Sequence, residues 1–356
     1  MKRFIIKSSC VILLAFFSLL VKNRSIIQMV CMAFHYDTFN VFHWKDIRFT
    51  DAEPNKNFIK TRYILEVPQK FNAFVFGSSR IGYIPPDGLP KVLDGTDLHW
   101  YNMTCSEGIP VEHYMTLQTF LNNGVHVEMV VVGFDNISMY TSLDKHKHQL
   151  LRRPYQVYED SKWTFFKPYL KFVGAESIMA QVDSYTPEEH AEKKQFFYDF
   201  GTDPLVADFG LTEDPQMDRY EAGFTGFPQK DSYKDLEKIV HLCRENGIKL
   251  VLFTSPLYQS IYRNSVADGY LSFLKDVAQE CEFYNFSTLN NFSQNPKYYF
   301  EANHYRPALG IRIEKVMFGT DAEREEVRRE SGDDLFGAKV DAENVDYVIG
   351  RLLEQF

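Results

Sequence analysis

Two short stretches hold the residue types that nucleophilic acyl chemistry requires. The first is Phe71–Arg80, FNAFVFGSSR, a mostly apolar run that ends in Gly-Ser-Ser-Arg. The second is Tyr299–Pro307, YFEANHYRP, in which Glu301 stands three residues before His304. A serine presented at a strand end becomes a nucleophile when a base reaches its hydroxyl. A histidine can serve as that base, and a carboxylate three residues earlier can share a turn with it and orient the imidazole. Each stretch also has a plainer reading. Gly-Ser-Ser is common turn chemistry whose hydroxyls cap the next helix, and a histidine at a helix start is often structural. It is the pairing of the two stretches that points to catalysis.

The flanking pattern supplies elements to position them. An apolar, β-favouring run ended by glycine predicts a buried parallel strand over 71–77, with its ligand-binding end at the glycine. A second strand is expected over 98–103, followed by TCSEG and a helix begun by Pro110 and closed by Gly124. VEMVVVGFD, 127–135, is the clearest strand in the chain. The rhythm returns with helix 231–246, Gly247, and strand 248–255. A helix over 261–279 and a short strand near 282–287 come next. Strand–helix–strand spacing of this kind predicts an α/β fold on a parallel sheet with right-handed crossovers. Residues 136–230 break the rhythm with aromatic-rich pieces such as KWTFFKPYLKFV and acidic loops, and read as an insertion covering the sheet's carboxyl edge. That aromatic stripe could grip a glycan, rest on lipid or simply pack. The basic group His146, His148, Arg152 and Arg153 opens the insertion and reads as solvated surface. EREEVRRESGDD, 323–334, reads as a mobile charged stretch, and the C-terminal AENVDYVIGRLLEQF as an amphipathic helix.

Composition narrows the classes. With 356 residues, 45% hydrophobic, the chain is long enough for one large domain or two smaller ones. A formal charge of −9 without a basic stripe argues against a nucleic-acid partner. Five scattered cysteines make no disulfide framework, and at most one bridge is expected among Cys105, Cys243 and Cys281. No Cys/His cluster has zinc spacing, and no cofactor motif stands out.

The start of the chain is a separate region. Residues 4–21, FIIKSSCVILLAFFSLLV, carry one charge, Lys7, and suffice to cross a hydrocarbon core if that lysine snorkels. No small-residue cleavage site follows, so an uncleaved single-pass anchor is favoured over a signal peptide. Residues 1–34 are then anchor and juxtamembrane segment, and 35–356 the folded domain with its insertion at about 136–230. Lys2, Arg3 and Lys7 before the span are nearly balanced by Lys22 and Arg24 after it, so charge alone sets orientation weakly.

A strand ending in Gly-x-Ser, a glycine after the second strand, a Gly-x-Asp-Asn after the third and a late acid-x-x-His resemble the four blocks of the SGNH (GDSL-like) hydrolases. Here they are Gly77-Ser78-Ser79, Gly108, Gly133-Phe134-Asp135-Asn136 and Glu301-Ala302-Asn303-His304. With the anchor and the stretches YDTFNVFH, EPNKNFIKTRYIL and FEANHYRP, the chain is similar to membrane-anchored SGNH-like envelope proteins. Those resemble the D-alanyl- and acetyl-transfer partners of membrane-bound O-acyltransferases. The resemblance implies an SGNH-like (flavodoxin-like) three-layer sandwich. It makes Ser79 the nucleophile, His304 its base and Glu301 the orienting carboxylate, one methylene longer than the family's aspartate. It gives the backbone N–H groups of Ser79 and Gly108, with Asp135 or Asn136, to an oxyanion hole. A carboxylate at 135 would repel a developing oxyanion. Arg80 and Arg306 flank the two blocks and either hold an anionic substrate group or fix the loops by salt bridges.

What the resemblance implies about function is acyl transfer, or ester hydrolysis, on an extracytoplasmic cell-envelope polysaccharide, beside a membrane O-acyltransferase. A plain carbohydrate esterase and a catalytically silent SGNH-fold scaffold are the alternatives, the silent reading favoured by Glu301 and Asp135.

Overall fold

The computed structural model describes residues 55–140, 153–167, 198–201 and 232–356, together with residue 195 and the backbone of the strand pair 47–49 and 180–182. The expected span 4–21 lies outside the described residues. Among the described residues no helix is long and apolar enough to cross a membrane.

The chain divides into two compact units, one of residues 1–63 with 148–195, the other of 64–147 with 196–356. In the first, Ile47–Phe49 pairs antiparallel with Ala180–Val182. Helix α1, Lys56–Glu66, begins there: the Asn55 side chain accepts the Phe58 N–H at 3.0 Å and donates to Arg153 O at 2.9 Å. Phe58 is buried against the rings of Tyr155, Tyr158 and Phe165, with centroids 4.7–5.4 Å apart. The described part of the 162–173 aromatic stripe therefore packs through Phe165, while Trp163 is 65% exposed. Arg153 donates to Thr164 O at 2.7 Å, whereas His146, His148 and Arg152 lie outside the described residues, as does most of 136–230.

The second unit is an α/β domain around a six-stranded sheet flanked by helices. Its strands are β1 Ala73–Phe76, β2 Trp100–Asn102, β3 Met129–Phe134, β4 Lys249–Thr254, β5 Phe283–Asn285 and β6 Ala338–Val340, in the spatial order β6-β5-β4-β3-β1-β2. β1, β3 and the inner half of β4 are buried, as their apolar runs require. The sheet is mixed rather than wholly parallel. β6 runs antiparallel to β5, with Ala338 opposite Asn285 and Val340 opposite Phe283. A three-residue strand, too short to show alternation, carries no period for a sequence reading to detect.

The helices match the pattern with two exceptions. α2, Pro110–Asn122, starts on its proline, and the Glu112 carboxylate accepts the Ile109 N–H at 3.1 Å. α3, Tyr233–Glu245, precedes β4. The expected single helix over 261–279 is two, α4 Gln259–Ala267 and α5 Tyr270–Glu280, because Gly269 takes a left-handed φ of 98° between them. α6, Pro307–Phe318, leaves the histidine block. The charged run 323–334, expected as a mobile stretch, falls largely in helix α7, Asp321–Ser331. Thr320 and Glu323 exchange side-chain and backbone hydrogen bonds at its start, Gly332 caps its end, and Val327 is its buried contact with the core. α8, Val345–Leu353, closes the domain. No disulfide joins Cys105, Cys243 and Cys281 to one another, and burial pushes the Cys243 thiol up to about 12.

Candidate active site

The serine block turns sharply off the end of β1. Gly77 has φ 155°, and a Cβ there would sit 2.4 Å from Ile81 Cγ1 and 2.9 Å from Gly133 O. A Cβ at Gly133 would meet the same Ile81 side chain at 2.4 Å. Two glycines thus clear room for Ile81 between the ends of β1 and β3, and a 3-10 turn over Ser79–Tyr83 folds directly back on the sheet. Ser79 opens that turn, where the first N–H groups are not used by the turn's own hydrogen bonds.

The histidine block is a β-hairpin rather than a helical turn. Tyr299–Glu301 pairs antiparallel with His304–Tyr305 across a two-residue turn, so Glu301 and His304 are cross-strand partners. Cross-strand neighbours have Cβ atoms about 4.5–5.5 Å apart, and from there the glutamate's extra methylene is reach that is used. Glu301 Oε1 meets His304 Nδ1, and Oε2 accepts the Asn303 N–H at 2.6 Å. On the other side of the ring, His304 Nε2 lies 2.8 Å from Ser79 Oγ, although the two residues are 225 apart in the chain. With Nδ1–H donated to the carboxylate, Nε2 is the nitrogen that accepts the serine proton. The edge of Tyr83 packs on the imidazole at 5.8 Å and 68°.

Arg80 holds the two blocks in register. Its Nε donates to Asn303 O at 2.8 Å and one terminal nitrogen to Asn303 Oδ1 at 2.7 Å, gripping the hairpin turn. The other terminal nitrogen donates to Asn136 Oδ1 at 2.6 Å and lies 3.2 Å from Asp135 Oδ2. Each of its three nitrogens has a protein partner and the residue is only 2% exposed. Of the two roles open to it in the sequence, fixing loops is the one its contacts serve. Arg306 behaves alike: buried, it donates from Nε to Tyr299 O at 3.2 Å and lies 4.2 Å over the Phe300 ring, bracing the hairpin.

The oxyanion positions are arranged differently from the sequence expectation. The Asp135 carboxylate accepts from Ser78 Oγ at 2.7 Å and from the Ile137 N–H at 2.8 Å besides pairing with Arg80, so its oxygens are committed to the loop. An acceptor so engaged donates nothing to an oxyanion. Asn136, its neighbour, presents Oδ1 to Arg80, which leaves the amide –NH2 as the end that Arg80 does not use. Gly108 packs where expected: a Cβ on it would stand 2.5 Å from Gly77 O. Its N–H, however, donates to Cys105 O at 3.1 Å, so here it supplies close approach to the serine turn rather than a free donor.

Two contributors escape a sequence reading. Asn303 is one: it occupies the second place of the two-residue turn and ties it to Arg80 through both its backbone and its side-chain carbonyl. Ser78 is the other: its hydroxyl donates to the Asp135 carboxylate just past β3 at 2.7 Å, a partner 57 residues away that nothing near position 78 announces. No protein-family model and no curated protein matches the chain.

Proposed function

We propose that this chain is a serine acyltransferase or esterase of SGNH type, its domain an SGNH-like (flavodoxin-like) three-layer sandwich held outside the cytoplasm by an anchor at 4–21, with a cap inserted at 136–230. The observation that carries the reading is the continuous relay Ser79 Oγ–His304 Nε2 and His304 Nδ1–Glu301, placed at the carboxyl end of β1 by two segments remote in the chain. In the first half-reaction His304 takes the Ser79 proton as Oγ attacks an ester carbonyl, and returns it to the departing alcohol as the acyl-serine forms. In the second, a hydroxyl of an envelope polysaccharide, or water, gives its proton to His304 as it attacks the acyl-serine carbonyl, and His304 hands that proton to Ser79 Oγ as the acyl–Oγ bond breaks. Asn136 –NH2 and the Ser79 N–H are the donors we assign to the developing oxyanion. A membrane O-acyltransferase is the partner that would present the acyl group.

A fluorophosphonate probe tests this directly. Wild type is expected to take up one label on Ser79, with labelling abolished in Ser79→Ala and severely slowed in His304→Ala. Labelling that persists in Ser79→Ala or moves to Ser78 overturns the assignment. The silent scaffold draws its support from Asp135; wild type that neither takes the probe nor releases acetate from a chromogenic ester would establish it.

A further inference from the structure

A second concave site lies between the 3-10 turn Pro86–Gly88 and α6. It is a cleft of about 410 Å3 and shares no residue with the Ser79–His304–Glu301 relay. That volume falls in the range of small-ligand pockets, about 300–1,000 Å3. Its walls are apolar, from Pro85, Ile311 and Phe318, and its charged side chains are three carboxyls, Asp87 from the turn, Glu314 from α6 and Glu323 from α7, with Lys315 the one base. Glu314 is only 3% exposed, and neither of its carboxyl oxygens has a hydrogen-bond partner among the described residues. Buried polar groups are nearly always hydrogen-bonded, and an unsatisfied carboxyl is costly. The loop lies directly against it: a Cβ on Gly88 would stand 2.0 Å from Glu314 Oε2, so a side chain there would have to displace the carboxyl.

We infer that this cleft binds an organic cation, a primary ammonium on a short apolar stem, with Glu314 and Asp87 receiving the ammonium and Pro85, Ile311 and Phe318 the stem. Lys315 also lines the cleft but does not take that place: its Nζ lies 3.6 Å from Glu326 Oε2, and neither Glu314 oxygen has a hydrogen-bond partner among the described residues. Three oxygen or nitrogen ligands for a metal ion are not assembled here among the described residues, whereas two carboxyls above an apolar wall match an ammonium and its stem.

Protonation adds a signature. Burial, reinforced by the Asp87 charge, pushes the Glu314 carboxyl up to about 9, so at neutral pH it carries a proton. The other titratable groups facing it are Tyr305 from the hairpin, Lys315 on the same helix and Glu323 at the start of α7. When the ammonium enters, Glu314 ionises, and one proton leaves to the buffer for each cation bound. Below about pH 9 the ionised fraction grows tenfold per pH unit, so apparent affinity rises by up to about tenfold from pH 7 to 8.

Calorimetric titration of the full-length chain with n-butylammonium chloride tests the site, with n-butanol as the uncharged control. Saturable binding of the cation alone is expected. It should tighten from pH 7 to 8, and its heat should shift between buffers of different ionisation enthalpy as the proton is taken up. Glu314→Gln should weaken binding at least tenfold and flatten its pH dependence; Asp87→Asn, at an exposed position that leaves folding intact, should weaken it severalfold. Ser79→Ala should bind like wild type, which keeps the outcome separate from the fate of the catalytic reading. No saturable binding, equal binding of n-butanol, or unchanged affinity in both acidic-residue variants overturns the proposal.

Discussion

Arg80→Lys keeps the positive charge and removes the fork. The guanidinium grips both sides of a gap: Asn303 O and Oδ1 at 2.8 and 2.7 Å on the hairpin, Asn136 Oδ1 at 2.6 Å and Asp135 at 3.2 Å on the β3 loop. A single ammonium on a flexible stem can remain beside Asp135, but it cannot also span to the two Asn303 oxygens. Two hydrogen bonds from a charged donor are then lost, each worth about 1.5–3 kcal/mol. The expected destabilisation is about 3–6 kcal/mol, the lower end reached if water takes up the freed carbonyls. Against a total stability of about 5–15 kcal/mol this is a large fraction. Urea unfolding at pH 7 should show a lower midpoint with an unchanged slope. Because Asn303 adjoins His304, fluorophosphonate labelling of the still-folded variant should also slow. A variant within about 0.5 kcal/mol of wild type, the span of ordinary surface changes, and labelled at the wild-type rate would refute the claim that Arg80 holds the hairpin against the β3 loop.

Three further outcomes follow from the hairpin and from the buried Glu314. Glu301→Gln keeps the size but removes the charge that fixes the histidine tautomer, and ester turnover should fall on the order of a hundredfold or more; a loss under about threefold would mean that serine and histidine act as a dyad. Glu301→Asp should lose turnover as well, since the shorter arm cannot meet both His304 Nδ1 and the Asn303 N–H from a cross-strand position. For Glu314, burial holds in the native state a proton that the unfolded chain releases near 4.5, so stability should decline as pH rises from there towards about 9. Urea midpoints measured from pH 6 to 9 should fall less steeply for Glu314→Gln than for wild type; parallel curves would show that the carboxyl is not titrating as described.

How much of this the sequence revealed depends on whether a feature is local. The buried strands β1, β3 and β4 announce themselves as apolar runs, and Gly124 and Gly247 mark helix ends with left-handed φ values of 75° and 69°. α7 was hidden because its buried side is little more than Val327 in a run of charges, although Thr320, Glu323 and Gly332 spell out its two ends. The serine and histidine blocks could be named, yet the hairpin could not: Ala302-Asn303 lacks the Asn-Gly signal of a tight two-residue turn. Arg80 is the plainest case. Its charge is visible in the sequence, but its partners at 135, 136 and 303 are neighbours only in the fold, so nothing near position 80 distinguishes a brace from a substrate clamp.

The 225-residue gap between Ser79 and His304 sets the order in which the site comes into being. At roughly 5–20 residues per second of synthesis, the serine leaves the ribosome some 10–45 seconds before the hairpin that carries its base. During that interval it is an ordinary alcohol, since neither the proton acceptor nor the Asn303 anchor for Arg80 exists. A chain cut short anywhere before the hairpin has the nucleophile and no means to use it. On the proposed reading, reactivity at Ser79 would thereby report that synthesis has passed the hairpin at 299–305 and that the two segments have met.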